Sequence, residues 1–341
     1  NGVKGSAAAG YRSGSFSVLS ATLGDFAALN GALDAGGFRE SRRFEFNQGD
    51  ATITGTIKVR DFAMIADDGS ISLAGTIETV GDNGGRVQLA AAEHVNLLAT
   101  GKILAKANTA SGSGGTVLLE TQGRDGGRID LSAGSLIDVS GSGDGGRLVR
   151  LRAPQIGNDM AIGQIGGTIT GARQVLAEAF RVYEGVTTID RPLIDLVQAD
   201  AARFMNNATA IQARLGGGIT VAPGIELRSD GDMELKTAWD LHTVRFNGAA
   251  GVLTLRAKGD LKINANLSDG FSDASANGTL LNGPSWTFNL TAGANLLSPN
   301  SLAVLPEGLL GAGKGSVIVD GTPDTIEYYY DPAYGNENRL Y

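Results

Sequence analysis

The sequence predicts an all-β solenoid of stacked coils, and three observations predict it. First, glycine-glycine steps followed at once by an alternating apolar run recur through the first half: GGRVQLAA at 84–91, GGTVLLET at 114–121, GGRIDLSAG at 126–134, GGRLVRLRA at 145–153 and GGTITGA at 166–172. Each reads as a glycine turn and then a short strand whose residues face alternately in and out. Second, these units recur without strict period and with almost no helical signal between them, which is the pattern of stacked repeats. Third, glycine supplies 51 of 341 residues while aromatic residues make up 6% and charged residues 19%, so aliphatics and alanine carry the burial. That mixture is too apolar for disorder and lacks a collagen period. Because each coil needs only its neighbours, one body is expected, with about 14–17 coils at roughly 20–25 residues each.

Four stretches follow in order. Residues 1–60 read as irregular leading coils, with GDFAALNGALDAGGFRESRRFEF running into ATITGTIKV. Residues 61–186 hold the regular coils, where ISLAGTIET, VQLAAAEHVNLLA and IDLSAGSLIDVSG each read as two short strands joined at small residues. Residues 187–218 change period. Leu193, Val197, Ala201, Phe204, Ala208, Ile211 and Leu215 fall at steps of three and four, Pro192 suits a first turn, Asp190 a cap and Gly216 to Gly218 a stop. These signals predict a helical insertion around 190–215, broken near Asn206 and Asn207, with Phe204 and Ile211 turned to the coils. Residues 219–341 return to β-periodicity. GDMELKTAWDL at 231–241 and GDLKINANL at 259–267 share an opening 28 residues apart, with GVLTLRA between them.

The run from GGRLVRLRAP through GGTITGARQVLAEAFRVYEG, then GDMELKTAWDLHTVRFNGAAGVLTLRAKGDLKINANLSDGF and GPSWTFNLTAGANL, resembles the repeat region of very large bacterial exoproteins of the filamentous haemagglutinin family. The resemblance covers most of residues 60–300 and is most specific from about 145 onward. It implies a right-handed parallel β-helix, export by two-partner secretion through an outer-membrane β-barrel transporter, and a role in adhesion or biofilm. Family members carry an amino-terminal secretion domain with Asn-Pro-Asn-Gly-type motifs; none occurs here, so the secretion signal is expected outside this fragment.

A formal charge of −8 with positive residues scattered singly argues against nucleic acid, which needs a basic stripe, and against anionic membrane surfaces. Cysteine is absent. That fits an extracellular bacterial protein held by ladder hydrogen bonds, and fits a cytosolic protein equally. No apolar run approaches the roughly 20 residues of a membrane helix.

Several right-handed β-helices are polysaccharide lyases or hydrolases, so acidic groups are candidates for acid, base or calcium ligand. The candidates are Asp67 with Asp68, Asp144, Asp230 with Asp232, and Asp269 with Asp273, each beside glycine or serine where aspartate commonly shapes a turn. SGSGDGG at 140–146 faintly matches calcium-binding nonapeptides but occurs once. His94 and His242, the only histidines, lack zinc-ligand spacing, and no nucleophile elbow or phosphate loop is present. No catalytic residue, metal or cofactor is therefore assigned.

Aromatic residues offer surface contacts instead: Trp239 and Trp286 as platforms for sugars, against the plainer reading that they pack the body, and Tyr328 and Tyr330 within the aromatic end IEYYY. Sequons at Asn207, Asn266, Asn277 and Asn289 are too common a tripeptide to assign glycosylation. The first 20 residues show no amphipathic helix or charged plug, so both ends are expected to be cuts in a longer stalk or to be buried against partner chains, and the isolated fragment to be prone to end-to-end self-association. The function expected is a non-enzymatic stalk segment of a secreted, cell-surface adhesin that contacts a host surface or extracellular polysaccharide. The alternative is a polysaccharide-degrading β-helix with an acidic groove, which would require three or more charged residues from neighbouring coils to converge in one cleft.

Overall fold

A computed structural model describes residues 3–8, 10–272 and 278–319. The chain is mostly β, with 42% strand and 13% helix, and its strands pair almost wholly in parallel. It divides into two compact units where composition suggested one body: Asn1–Phe180 with Asn206–Ala222 and Leu297–Asn300, and Arg181–Met205 with Pro223–Leu296 and Ser301–Tyr341.

The first unit opens with β1 (Ser15–Thr22) and helix α1 (Phe26–Gly36). Strands then come in threes: β2 (Ser41–Gln48), β3 (Ala51–Ile53) and β4 (Thr56–Val59); β5 (Asp61–Ala66), β6 (Ile71–Leu73) and β7 (Thr76–Thr79); β8 (Arg86–Ala91), β9 (Val95–Leu97) and β10 (Lys102–Leu104); β11 (Thr116–Thr121), β12 (Ile129–Leu131) and β13 (Leu136–Asp138). A last group is β14 (Leu148–Ile156), the short antiparallel β15 (Asp159–Met160), β16 (Ile162–Ile165) and β17 (Thr168–Thr170), followed by β18 (Gln174–Tyr183). The first member of each group joins one sheet, in the order β1-β2-β5-β8-β11-β14-β18; the second members build a sheet β3-β6-β9-β12-β16, and the third members β4-β7-β10-β13-β17. The chain thus visits three parallel sheets in fixed cyclic order.

Register explains why these short strands hold. Phe44, Met64, Leu89, Leu119 and Leu151 align across the first sheet, and Ile57, Ile77, Ile103 and Ile137 across the third, all buried. Each fully buried aliphatic stabilises by roughly 1.5–3 kcal/mol, so aligned columns offset the cost of ordering strands of only three residues. Three of the five steps between partners exceed the expected length: Ser41 pairs with Asp61, Asp61 with Arg86, Arg86 with Thr116, Thr116 with Leu148 and Leu148 with Gln174, giving 20, 25, 30, 32 and 26 residues. Most of the variation sits at one corner. From the third sheet back to the first, the linking segments after β4, β7, β10, β13 and β17 have 1, 6, 11, 9 and 3 residues.

The glycine pairs are not equivalent. Three open first-sheet strands (β8, β11, β14), whereas Gly126–Gly127 precedes the second-sheet strand β12 and Gly166–Gly167 the third-sheet strand β17. At Gly85 and Gly115 the reason for glycine is close approach rather than a positive φ. A Cβ on Gly85 would lie 1.7 Å from the Arg60 carbonyl oxygen, and one on Gly115 would lie 2.4 Å from that of Gly85. The same contact carries the ladder, since Thr116 N donates to the Gly85 carbonyl at 3.0 Å.

Helix α1 was not legible as a helix. Asp25 caps it through Ala28 N at 2.9 Å, and Gly37, at φ 77°, ends it. In the chain it stands between two first-sheet strands, β1 and β2, where every later turn places strands of the second and third sheets; in space it contacts β3 and β4, the first strands of those sheets. Its buried face is Phe26, Asn30 and Leu33. Phe26 meets Phe44 edge-on at 5.1 Å, and Asn30 Oδ1 and Asp34 Oδ1 accept from the buried Arg42 guanidinium at 2.5 and 2.7 Å. Residues 15–59 are therefore ordered strands around a helix that covers the ends of two sheets, where irregular coils were expected.

The second unit holds β19 (Thr188–Ile189), α2 (Arg191–Met205), most of β20 (Ile219–Ser229), β21 (Met233–Leu235), β22 (Trp239–Asp240), β23 (Val252–Ala257), β24 (Leu261–Ile263), β25 (Leu267–Ser268), β26 (Thr287–Ala292) and β27 (Val317–Val319). Its parallel sheets run β20-β23-β26, β19-β21-β24-β27 and β22-β25. The two Gly-Asp openings do stack: Met233 pairs with Leu261 at the 28-residue step read from the sequence. The segment read as helical holds α2 in this unit and α3 (Ala208–Leu215) in the first, with residues 206 and 207 between them. Asp190 accepts from Leu193 N at 3.1 Å, and Phe204 and Ile211 are both buried.

Candidate functional site

Charge is concentrated on the outward-facing side of the first sheet and its counterpart in the second unit. Alternation along a strand sends Leu119, Leu151 and Ala177 inward, so Glu120, Arg152 and Glu178 face out and align level on level. All three are nonetheless buried. Glu178 lies between two guanidiniums: Arg150 Nε donates to Oε2 at 2.7 Å and Arg152 Nε to Oε1 at 3.0 Å. The Arg152 guanidinium also sits 4.0 Å over the Phe180 ring, a cation–π contact. Gln88 Nε2 donates to Glu120 Oε2 at 2.7 Å and to Asn300 Oδ1 at 3.4 Å, while Gln122 Nε2 donates to the Leu297 carbonyl at 3.1 Å. Residues 297–300 thus lie on this face.

The second unit repeats the scheme. Glu226 Oε1 accepts from Arg228 Nε at 2.6 Å and from Arg256 Nη1 at 3.1 Å, and Arg256 Nη2 donates to the Asn295 carbonyl at 2.5 Å. Thr291 Oγ1 donates to the Ser301 carbonyl at 3.2 Å. In both units a carboxylate is held by two arginines; a covering segment is held by Gln88 and Gln122 in the first unit and by Arg256 in the second. Buried charges in this arrangement hold geometry, and removing one partner is costly.

A second cluster lies where the Gly-Asp openings stack. Lys314 Nζ is 2.7 Å from Asp232 Oδ2 and 3.1 Å from Asp260 Oδ2; Asp232 Oδ1 accepts from Asp260 N, and Asp260 Oδ1 from Gly315 N and Ser316 N. The Lys314 hydrogen bond and the Asp260 amide hold Asp232 below its ordinary value of 3.8, and the Ser316 amide with Lys314 holds Asp260 below it. Hydrogen bonds to both carboxylates raise Lys314 above 10.5. Three charged residues from neighbouring levels therefore converge, and each is held in its charged form.

Trp239 and Trp286 do not stand on the surface: they are 1% and 5% exposed. Trp286 Nε1 donates to the Val244 carbonyl at 2.9 Å, its ring meets Phe246 edge-on, and a Cβ on Gly251 would lie 2.5 Å from the indole. Packing, not sugar stacking, is what these rings do, because large aromatics in alternating strands contribute most by burial. Tyr328 and Tyr330, like Asp273 and Asn277, lie outside the described residues. Of the acidic candidates, Asp68 pairs with Arg124 at 2.8 Å and Asp144 with Arg173 at 4.0 Å. Asp269 would be raised by burial, but the Trp286 amide, Arg245 and Ser285 outweigh this and hold it low. Among the described residues no group of three or more potential metal ligands occurs. His242 Nδ1 lies 2.8 Å from Asp240 Oδ2 yet off the hydrogen-bonding direction, and His94 contributes its backbone to the ladder.

The charged face was missed because single charges inside apolar runs, Arg150 and Arg152 in LVRLRA and Glu178 in VLAEAF, look like ordinary solvent-facing positions. The available signal was their common outward phase in strands of the same sheet. No family model, curated protein or solved structure matches the chain.

Proposed function

We propose that this chain is a stalk segment of a large secreted bacterial exoprotein of the filamentous haemagglutinin type, folded as a right-handed parallel β-helix. In this reading α2 and α3 are a helical insertion on the coils. The observation that carries the proposal is the cyclic visiting of three parallel sheets in the first unit, each strand pairing with its counterpart one turn on. Parallel crossovers strongly favour the right hand, and repeated identical crossovers generate a helix of strands. The mechanism is mechanical. Continuous ladders resist extension, while corner segments carry the contacts with a host surface or extracellular polysaccharide. Export by an outer-membrane two-partner-secretion transporter and a cell-surface location follow from the sequence resemblance, and the stalk needs no cofactor.

The test is a glycan array combined with a turnover screen on polysaccharides. The stalk reading expects binding or inertness with no release of oligosaccharide. Sustained, saturable chain cleavage would overturn it and favour the polysaccharide-degrading alternative.

A further inference from the structure

Between β26 and β27 the chain makes an excursion over residues 293–316, 24 in all, where the step from β23 to β24 needs only residues 258–260. Strand pairing does not depend on it: Val317 pairs with Leu261 just as Leu261 pairs with Met233. Long segments that stand outside a ladder commonly carry function. Within this one, residues 297–300, Leu-Ser-Pro-Asn, belong to the first unit. Gln122 Nε2 donates to the Leu297 carbonyl at 3.1 Å, and Gln88 Nε2 donates to Asn300 Oδ1 at 3.4 Å while also holding Glu120 at 2.7 Å. The segment is thus gripped at two points three residues apart, from β8 and from just past β11.

The polarity of the segment is inverted. Ser298, Pro299 and Asn300 are buried, whereas Leu297 is 69% exposed, and Leu302 and Val304 farther along the excursion are 50% and 60% exposed. A cover that never lifts is most stable with its aliphatic side chains inward, and permanent interfaces are accordingly more apolar than those that part. Here the face beneath is also polar: Gln88 and Glu120 are buried on the outward side of their sheet. Water satisfies these amides, this carboxylate and the segment's own oxygens when the two separate, so parting them leaves no group unsolvated.

We propose that residues 297–300 are an internal pseudo-ligand, and that Gln88, Glu120 and Gln122 form a docking face for an extended polypeptide segment of the same chemistry. That segment is small and polar, and it offers a backbone carbonyl and, three residues on, a side-chain oxygen. A peptide is the occupant, not a polysaccharide, because what the face already holds is a peptide carbonyl and a side-chain amide. The flanks are anchored within the second unit, Asn295 by Arg256 and Ser301 by Thr291, so residues 297–300 lift as a loop. The tether presents the internal copy at an effective concentration on the order of millimolar, which keeps the face closed to weak competitors. The inference is independent of the stalk reading, whose glycan and turnover screens it leaves untouched.

The probe is the synthetic peptide NLLSPNSL, residues 295–302, beside a scrambled counterpart. In the full chain with residues 296–301 replaced by alternating glycine and serine, titration calorimetry is expected to show peptide binding about tenfold tighter or more than in the parent, where the internal copy competes. Gln122→Ala added to that chain is expected to weaken binding about fivefold, by removing the donor to the first carbonyl. Asn300→Ala keeps the segment in place but takes away the acceptor for Gln88, and is expected to raise peptide affinity above the parent's; it decides the matter if the replaced chain does not fold. Equal affinity for the scrambled peptide, absence of peptide binding to variants whose circular-dichroism spectra match the parent's, indifference to Gln122→Ala, or binding of dextran in place of the peptide would each overturn the proposal.

Discussion

Helices α1 and α2 bury similar faces and expose opposite ones. Each begins at an aspartate cap and turns apolar residues to a surface: Phe26 and Leu33 in α1, Ile194, Val197 and Phe204 in α2. The exposed face of α2 carries Arg191 paired with Asp195, and Arg203, which reaches the buried Asp200, whereas that of α1 is alanine and glycine. Helical periodicity becomes visible in a sequence only through contrast between faces. An alanine face beside an apolar one has little contrast, so α2 was legible and α1 was hidden. The difference also separates their tasks: α2 is finished by solvent, and α1 replaces strands at the end of two sheets.

The comparison can be broken most severely at the buried anchors. Leu33→Ala, in a fully buried α1 position, is expected to cost roughly 2–5 kcal/mol, with faster amide exchange in α1, β3 and β4. Phe204→Asp is expected to free α2 while leaving β2 to β14 protected, read by the same exchange measurement; equal deprotection throughout would contradict a local role. Glu178→Ala takes a buried carboxylate from the buried Arg152 and the half-buried Arg150, and a loss of roughly 3–5 kcal/mol in urea unfolding is expected.

Smaller effects sharpen the picture. Asp25→Ala and Asp190→Ala remove equivalent caps and are each expected to cost about 1 kcal/mol, so a marked inequality would show that one helix depends on its cap more than its packing. The smallest effect is at Lys314. The carboxylates of Asp232 and Asp260 are depressed, so their contribution is present above about pH 4 and fades as pH falls through their folded values; Lys314 is raised, so its contribution is present below its ordinary 10.5 and fades above it. Lys314→Met is therefore expected to lower stability near neutral pH and to differ little from the parent at pH 2, as monitored by thermal unfolding.

Much of the parallel architecture was legible because alternation and glycine are local. The runs after Gly85, Gly115 and Gly146 became strands, and the 28-residue spacing of the Gly-Asp openings is a true register step. What escaped was set by neighbours a level away. The reason for glycine at 85 is the Arg60 carbonyl, the fate of Trp286 depends on Gly251 and Phe246, and the role of Glu178 depends on arginines 26 and 28 residues before it. None of these is visible in a window of sequence.

The unequal corner between the third and first sheets carries an evolutionary consequence. Segments of 1 to 11 residues close the same junction there while the strands on either side keep their partners. Closing a longer flexible segment costs only about 0.6 kcal/mol per doubling, so insertions at this corner are nearly neutral for folding. The molecule can therefore acquire, lose or exchange surface along one flank while its interior is inherited unchanged, which makes the exposed residues 109–111 a natural place to graft a foreign recognition loop.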